Sequence, residues 1–281
     1  MSKILVTGGS GLVGKHLKDI LPEATYVGSQ PWNLLSPSRV DDLLSIFKPD
    51  VVIHLSARVG GILDNITYPV EYLEENTIIN TNLLRGCHKH NVERVIAMGS
   101  TCLYPNVVEE YPMKEDDLFN GAPPLDNFAY AMSKRLMVTQ INSYVKQYNK
   151  KWSCLIPCNL YGEYDKYEEH HSHFVSALIK KIYEAKDTLE IWGTGKPLRQ
   201  FMYAGDLARV VKYIIENDIK GNYNVAPNYV HSIEEITKIG MESCGKGDLE
   251  ITYDETKPDG QYRKDVDSSK LLFNSSAYAN L

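Results

Sequence analysis

The sequence predicts an α/β fold, a doubly wound parallel sheet followed by a smaller mixed α/β lobe. Three observations carry this. Short apolar runs that read as strands alternate with longer amphipathic stretches from Lys3 to about Asn159. Glycines crowd the first strand-to-helix turn. After Asn159 the alternation gives way to a polar, aromatic and histidine-rich segment, "YGEYDKYEEHHSHF". At 281 residues the chain can bury a large core, as one domain or as two lobes.

Taken in order, "KILVTGGSGLVGKHLKDIL" reads as a buried strand, a glycine-rich turn and a helix with Leu12, Val13, Leu17 and Ile20 on one face. "ATYVGS" is a second strand, and "SPSRVDDLLSIF" is a helix opened by serine and proline, which suit N-cap positions. "PDVVIHLSA" is a third strand, a long helix covers Pro69 to His90, and "RVIAMGS" is the fourth strand. "FAYAMSKRLMVTQINSYVKQYN" is a further helix, and "WSCLIPCNL" a single fifth strand. Each crossover helix must pack back onto the sheet, which makes the strands parallel and covers both faces. The second lobe reads as helix "HFVSALIKKIYEA", strand "LEIWG", a turn at "GTGKP", helix "AGDLARVVKYIIE", strand "GNYNVA" and a helix opened by the capping box "SIEE". The expected division is a nucleotide-binding unit over 1–160 and a substrate lobe over 161–281, with segments crossing between them.

A formal net charge of -6 provides no basic field to attract nucleic acid or an anionic membrane. No apolar segment approaches the roughly 18 residues that span a bilayer. Five scattered cysteines, Cys87, Cys102, Cys154, Cys158 and Cys244, lack metal-type pairing, and the first strand leaves no room for a signal peptide. The expectation is a cytoplasmic protein with reduced thiols.

In "TGGSGLVG" the glycines stand at 8, 9, 11 and 14. Gly8 and Gly11 let the backbone approach a pyrophosphate, Gly14 lets the helix pack on the sheet, and the helix N-terminus offers free N–H groups to the phosphates. This is the Rossmann-type dinucleotide pattern rather than a phosphate loop, because no serine or threonine follows Lys15 to hold magnesium. An NAD site usually carries an acidic residue after the second strand, whereas "VGSQPWN" has Ser29 and Gln30 there. A neutral rim tolerates a 2'-phosphate, so the expected coenzyme is NADP(H).

Tyr130 and Lys134, four apart on one helix, lie on the same face, where the ammonium is expected to lower the tyrosine pKa. Ser100 stands at the carboxyl end of the fourth strand, where open parallel sheets bind ligands, and its hydroxyl could share a carbonyl oxygen with Tyr130. A glycine-rich first turn, a strand-end serine and a Tyr-x3-Lys helix, in this order, resemble the extended short-chain dehydrogenase/reductase superfamily, whose members act on nucleotide sugars. Within it, "VTGGSGLVGK", "HLSARVGG", "STCLYP", "YAMSKR", "IPCNLYG", "HSHFVSALIKK", "WGTGKPLRQFMYAGDLA" and "KPDGQYRK" resemble the GDP-L-fucose synthase family of GDP-4-keto-6-deoxymannose 3,5-epimerase/4-reductases. The match runs from Lys3 to about Leu272.

The resemblance implies a catalytic set of Ser100, Cys102, Tyr130, Lys134 and His173, with the thiol and the imidazole as the proton-transfer pair. It implies a coenzyme held by Gly8, Gly11, Leu12, Val13, Gly14 and Ser29, by Leu55, Ser56 and Ala57, and by Tyr130, Lys134, Pro157, Leu160 and His173. For the GDP-sugar it implies Ser100, Cys102, Asn159, Lys181, Trp192, Arg199 and Asp259. The chemistry is consistent: a 4-ketone acidifies the C3 and C5 protons, and thiol and imidazole, with ordinary pKa values of about 8.5 and about 6.5, both exchange protons near pH 7. Cations such as Lys181 and Arg199 suit a diphosphate.

Two departures stand out. The family often has arginine where this chain has Lys181. It also usually continues past "SSKLL" into a further helix, whereas this sequence ends at "FNSSAYANL". Other readings are a related GDP-4-keto sugar such as a 3,6-dideoxy one, and a non-catalytic NADP sensor on the same fold. His170, His171 and His173 could instead form a metal cluster, but no cysteine or carboxylate pair completes a set, so no metal is expected. The superfamily commonly dimerises through two long helices, here about 69–90 and 128–148, so a homodimer is expected.

Overall fold

A computed structural model describes residues 2–167, 172–257 and 259–273. The first half alternates as read apart from the added short helix α3: β1 (Ile4–Thr7), α1 (Leu12–Ile20), β2 (Thr25–Val27), α2 (Pro37–Phe47), β3 (Val51–His54), α3 (Ile62–Thr67), α4 (Pro69–Lys89), β4 (Arg94–Met98), α5 (Phe128–Tyr148) and β5 (Ser153–Pro157). The second half holds β6 (Asn159–Tyr161), α6 (Phe174–Glu184), β7 (Thr188–Trp192), β8 (Leu198–Arg199), β9 (Phe201–Tyr203), α7 (Ala204–Glu216) and β10 (Tyr223–Val225). It closes with β11 (His231–Ser232), α8 (Ile233–Ser243), β12 (Glu250–Asp254), β13 (Arg263–Lys264) and α9 (Ser269–Phe273).

Local chemistry sets the helix ends. Ser36 caps α2 by accepting from Arg39 N, with Pro37 at the first helical position. Ser232 and Glu235 form the expected capping box of α8.

Six strands form one parallel sheet in the order β10-β5-β4-β3-β1-β2. Their side chains are almost all buried, as a sheet covered on both faces requires. The chain winds outward from β1 in one direction to β2 and in the other through β3, β4 and β5. The crevice therefore opens at the carboxyl ends of these strands. The boundary expected at residue 160 is crossed from the far side: β10 completes the main sheet against β5, and α7 packs on α1.

The stretch read as one fifth strand divides at Cys158. β5 stays in the main sheet, while β6 leaves it to pair in parallel with β9. An apolar run of this length has no internal mark of where it changes partner. The remaining strands form the three-stranded set β11-β8-β13 and the pair β12-β7, and α6 and α8 close a small second core of Leu178, Ile182, Leu189 and Met241. No helix among the described residues is long and apolar enough to cross a membrane.

Candidate active site

The turn after β1 is built for close approach. Gly8 has φ +74°, and a Cβ there would lie 2.7 Å from Ser56 N, so a side chain would force the β1 and β3 loops apart. At Gly14 a Cβ would meet Gly9 Cα at 2.6 Å and Gly8 O at 2.7 Å. Gly11 caps α1 with no side-chain acceptor, which leaves the first-turn N–H groups of Leu12 and Val13 to a ligand. Leu55, Ser56 and Ala57 leave β3 beside this turn, and Leu55 N donates to Thr7 O at 3.1 Å. Ser29 is exposed beyond β2. Pro157, at the end of β5, is buried, and Leu160, in β6, is half-buried. A dinucleotide fits this cradle, because glycine is required where the backbone must admit phosphate.

Beside the cradle, Ser100 follows β4 and caps the short turn Thr101–Leu103, its Oγ accepting from Cys102 N at 3.2 Å. Cys102 is half-buried, and its Sγ accepts from Asn127 Nδ2 at 3.2 Å and from Lys264 Nζ at 3.1 Å. Burial alone would raise its pKa, but the Lys264 charge and hydrogen bonds from Ser100 and Lys264 outweigh it and hold the thiol below its usual range.

Tyr130 lies on α5, with Tyr72 meeting its ring edge-on at 6.2 Å between centroids. The expectation that Lys134 lowers its pKa is not met. Burial raises the phenol well above its ordinary value, helped by Cys102 and Tyr72. Lys134 instead donates to Met98 O at 2.8 Å, and burial brings its own pKa down to about 8. The phenol is thus a fully protonated donor at neutral pH.

His173 is the N-cap residue of α6, and its Nδ1 lies 2.9 Å from Asp165 Oδ1. Burial works against the Asp165 carboxylate, yet hydrogen bonding to His173 and the charge of that ring hold its pKa below the usual value. An ionised carboxylate only accepts, so Nδ1 carries a proton and Nε2 is left as the reactive nitrogen. The Asp165 loop is itself pinned: Asp165 N donates to Gly162 O, and the neighbouring Glu163 accepts the Tyr203 hydroxyl. His170 and His171 lie outside the described residues. Among the described residues no cluster of three or more His, Cys, Asp or Glu side chains could hold a metal.

On the substrate side, Trp192 is 40% exposed, with the Lys181 and Lys257 ammonium groups 5.3 and 5.6 Å from its ring centroid. Lys181 also donates to Glu190 O. Arg199 pairs in register with Lys264 across β8 and β13. Asn159 donates to Gln200 O at 2.9 Å. Asp259, expected at the sugar nucleotide, lies against the "GTG" turn. Its Oδ1 accepts from Thr194 N and its Oδ2 from Thr194 Oγ1, so both oxygens close the "GTG" turn. Lys264, Asn127, Asp165 and Lys257 were not singled out from the sequence, although Lys257 and Lys264 sit inside the quoted "KPDGQYRK".

A dinucleotide cradle, a strand-end serine and a helix carrying tyrosine and lysine four apart define an extended short-chain dehydrogenase/reductase. The chain belongs to the NAD dependent epimerase/dehydratase family, whose model matches residues 4–226. It is 36% identical to the GDP-L-fucose synthase of Dictyostelium discoideum, over 95% of this chain and 87% of that protein. It is likewise 36% identical to the GDP-L-colitose synthase of Yersinia pseudotuberculosis, over 96% of this chain and 90% of that one. A solved GDP-L-fucose synthetase from Naegleria fowleri bound to NADP superposes with a TM-score of 0.88 at 29% identity, covering 99% of this chain and 87% of that one.

Proposed function

We propose that this chain converts GDP-4-keto-6-deoxy-D-mannose to GDP-L-fucose, by 3,5-epimerisation followed by reduction of the 4-ketone with NADPH. The observation that carries the reading is the convergence of the Cys102 thiol with Ser100 and Asn127 at the carboxyl end of β4, in a chain similar to named GDP-L-fucose synthases. NADPH, when bound in the Gly8 to Gly14 cradle, supplies the hydride. Ser100 and Tyr130 hydrogen-bond the C4 oxygen and stabilise the enolate that forms when C3 or C5 loses its proton. Cys102 takes that proton on one face, and Nε2 of His173 returns one on the other. Tyr130 then protonates the C4 oxygen as the ketone is reduced. Lys181 and Arg199 meet the diphosphate, and Trp192 offers the guanine a flat surface.

Incubating the protein with GDP-4-keto-6-deoxymannose and NADPH should yield GDP-L-fucose by NMR; no turnover of this ketosugar removes the reading. Similarity to a GDP-L-colitose synthase favours a second substrate, a 3,6-dideoxy 4-keto sugar in which only C5 is inverted. The same assay with that sugar separates the two.

Asp165 acts through His173. In Asp165→Asn the amide can present its N–H₂ to Nδ1 and favour the wrong tautomer, so epimerisation should fall on the order of 10²-fold while NADPH affinity holds. Solvent deuterium exchange into the ketosugar is the readout, and an unchanged rate removes Asp165 from the mechanism.

A homodimer through α4 and α5 is supported by the exposed apolar side chains Val70, Leu73 and Ile78 on one helix and Met132 and Leu136 on the other. A cytoplasmic location completes the reading.

A further inference from the structure

Lys264 is buried, at 8% exposure, and among the described residues no carboxylate lies within ion-pair distance of its Nζ. The adjacent Asp265 is already held by a two-point contact with Arg263, at 2.7 and 3.0 Å. An ammonium buried against neutral groups alone is costly, so this lysine needs a negative partner. The atom it reaches is Cys102 Sγ, 3.1 Å away across 162 residues of sequence. Its strand is firmly placed. Gln200 Oε1 accepts from Val266 N at 2.9 Å, Met113 N donates to Asp265 O at 2.9 Å, and Asp267 N donates to Met113 O at 2.8 Å.

We propose that Lys264 is the counter-ion that keeps Cys102 as a thiolate, so that the substrate lobe, through β13, sets the basicity of a thiol carried by the nucleotide-binding sheet. The inference rests on the proposed function, in which that thiol is the base. Asn127 Nδ2 supplies the second donor to sulfur. The other charged and titratable groups facing Cys102 are Arg199, whose charge also favours the thiolate, Asp126, which opposes it, and Tyr130, a neutral phenol whose own ionisation the sulfur disfavours. Among the described residues Lys264 alone combines a positive charge with direct contact, which makes it the dominant favourable partner. The thiol is therefore ionised near neutral pH only where β13 is docked against the β4 loop. Lys264 is a positioning residue in this scheme: it exchanges no proton with the sugar.

The test is the rate of iodoacetamide alkylation at Cys102 against pH, resolved by mass spectrometry, with exposed Cys244 as internal reference. In Lys264→Met, Cys102 should alkylate about tenfold or more slowly at pH 7 and recover as pH rises, because an opposite charge at contact distance has been removed. Lys264→Arg should stay near the wild-type rate, and Cys244 should not change in any variant. Should Lys264→Met fail to fold, the wild-type profile still decides: Cys102 must reach its plateau at lower pH than Cys244. The proposal is overturned if Lys264→Met keeps the wild-type rate and profile, if it weakens GDP-sugar binding alone, or if wild-type Cys102 titrates at or above Cys244. Alkylation needs neither sugar nor coenzyme, so its failure leaves the proposed function standing, and a lack of turnover leaves this pairing standing.

Discussion

Replacing Tyr130 with phenylalanine should abolish reduction of the ketone while NADPH still binds. The variant keeps the ring and its edge contact with Tyr72, so the fold and the cradle on β1 are untouched. What it removes is a hydroxyl that burial keeps fully protonated at neutral pH. Loss of a general acid typically costs 10²- to 10⁴-fold, and without a proton for the C4 oxygen the ketone cannot accept hydride productively; a drop of about 10³-fold or more is expected. Coenzyme consumption and calorimetric binding give the two readouts. Turnover near the wild-type rate would remove Tyr130 from the mechanism, and loss of NADPH binding would make its role structural.

Cys102→Ser should separate the two halves of the reaction. A serine hydroxyl is far too weak an acid to be ionised near neutral pH, so the variant loses the base while the chain keeps Tyr130, Lys134 and the glycine turn. Solvent deuterium uptake at C3 and C5 should fall by about 10²-fold or more. Reduction of the unepimerised ketone should persist, giving a product with its original configuration at both carbons. Unchanged exchange would mean that another residue serves as the base.

Much of the fold was legible because its signals are local. The glycines at 8, 11 and 14, the serine and proline that open α2, and the spacing of Tyr130 and Lys134 each act within a turn or two of chain. Cys102 entered through the resemblance carried by "STCLYP", since a lone cysteine at a strand end is usually a small buried hydrophobe. The missing parts of the site are long-range. Lys264 meets Cys102 only because β13 docks beside β8, and nothing within the "RK" pair announces a partner 162 residues away. Asp165 sits in a segment whose polar residues have no periodicity to rank them. Asp259 entered through the resemblance, and the sequence does not show that its carboxylate accepts from Thr194 N and Oγ1 beside Gly193, where φ is +73°. The phenol differed from expectation because helical spacing shows that Tyr130 and Lys134 are neighbours but not that the site desolvates the phenol and turns the buried ammonium to Met98 O.

The most direct measurement is a crystal structure of the protein with NADP and a GDP-4-keto sugar. The account predicts Cys102 Sγ and His173 Nε2 on opposite faces of the hexose, each within about 3.5 Å of a carbon that exchanges its proton, with the C4 oxygen between Ser100 and Tyr130. A sugar ring with both groups on one face, or with the thiol walled off from it by packed side chains, would contradict the account.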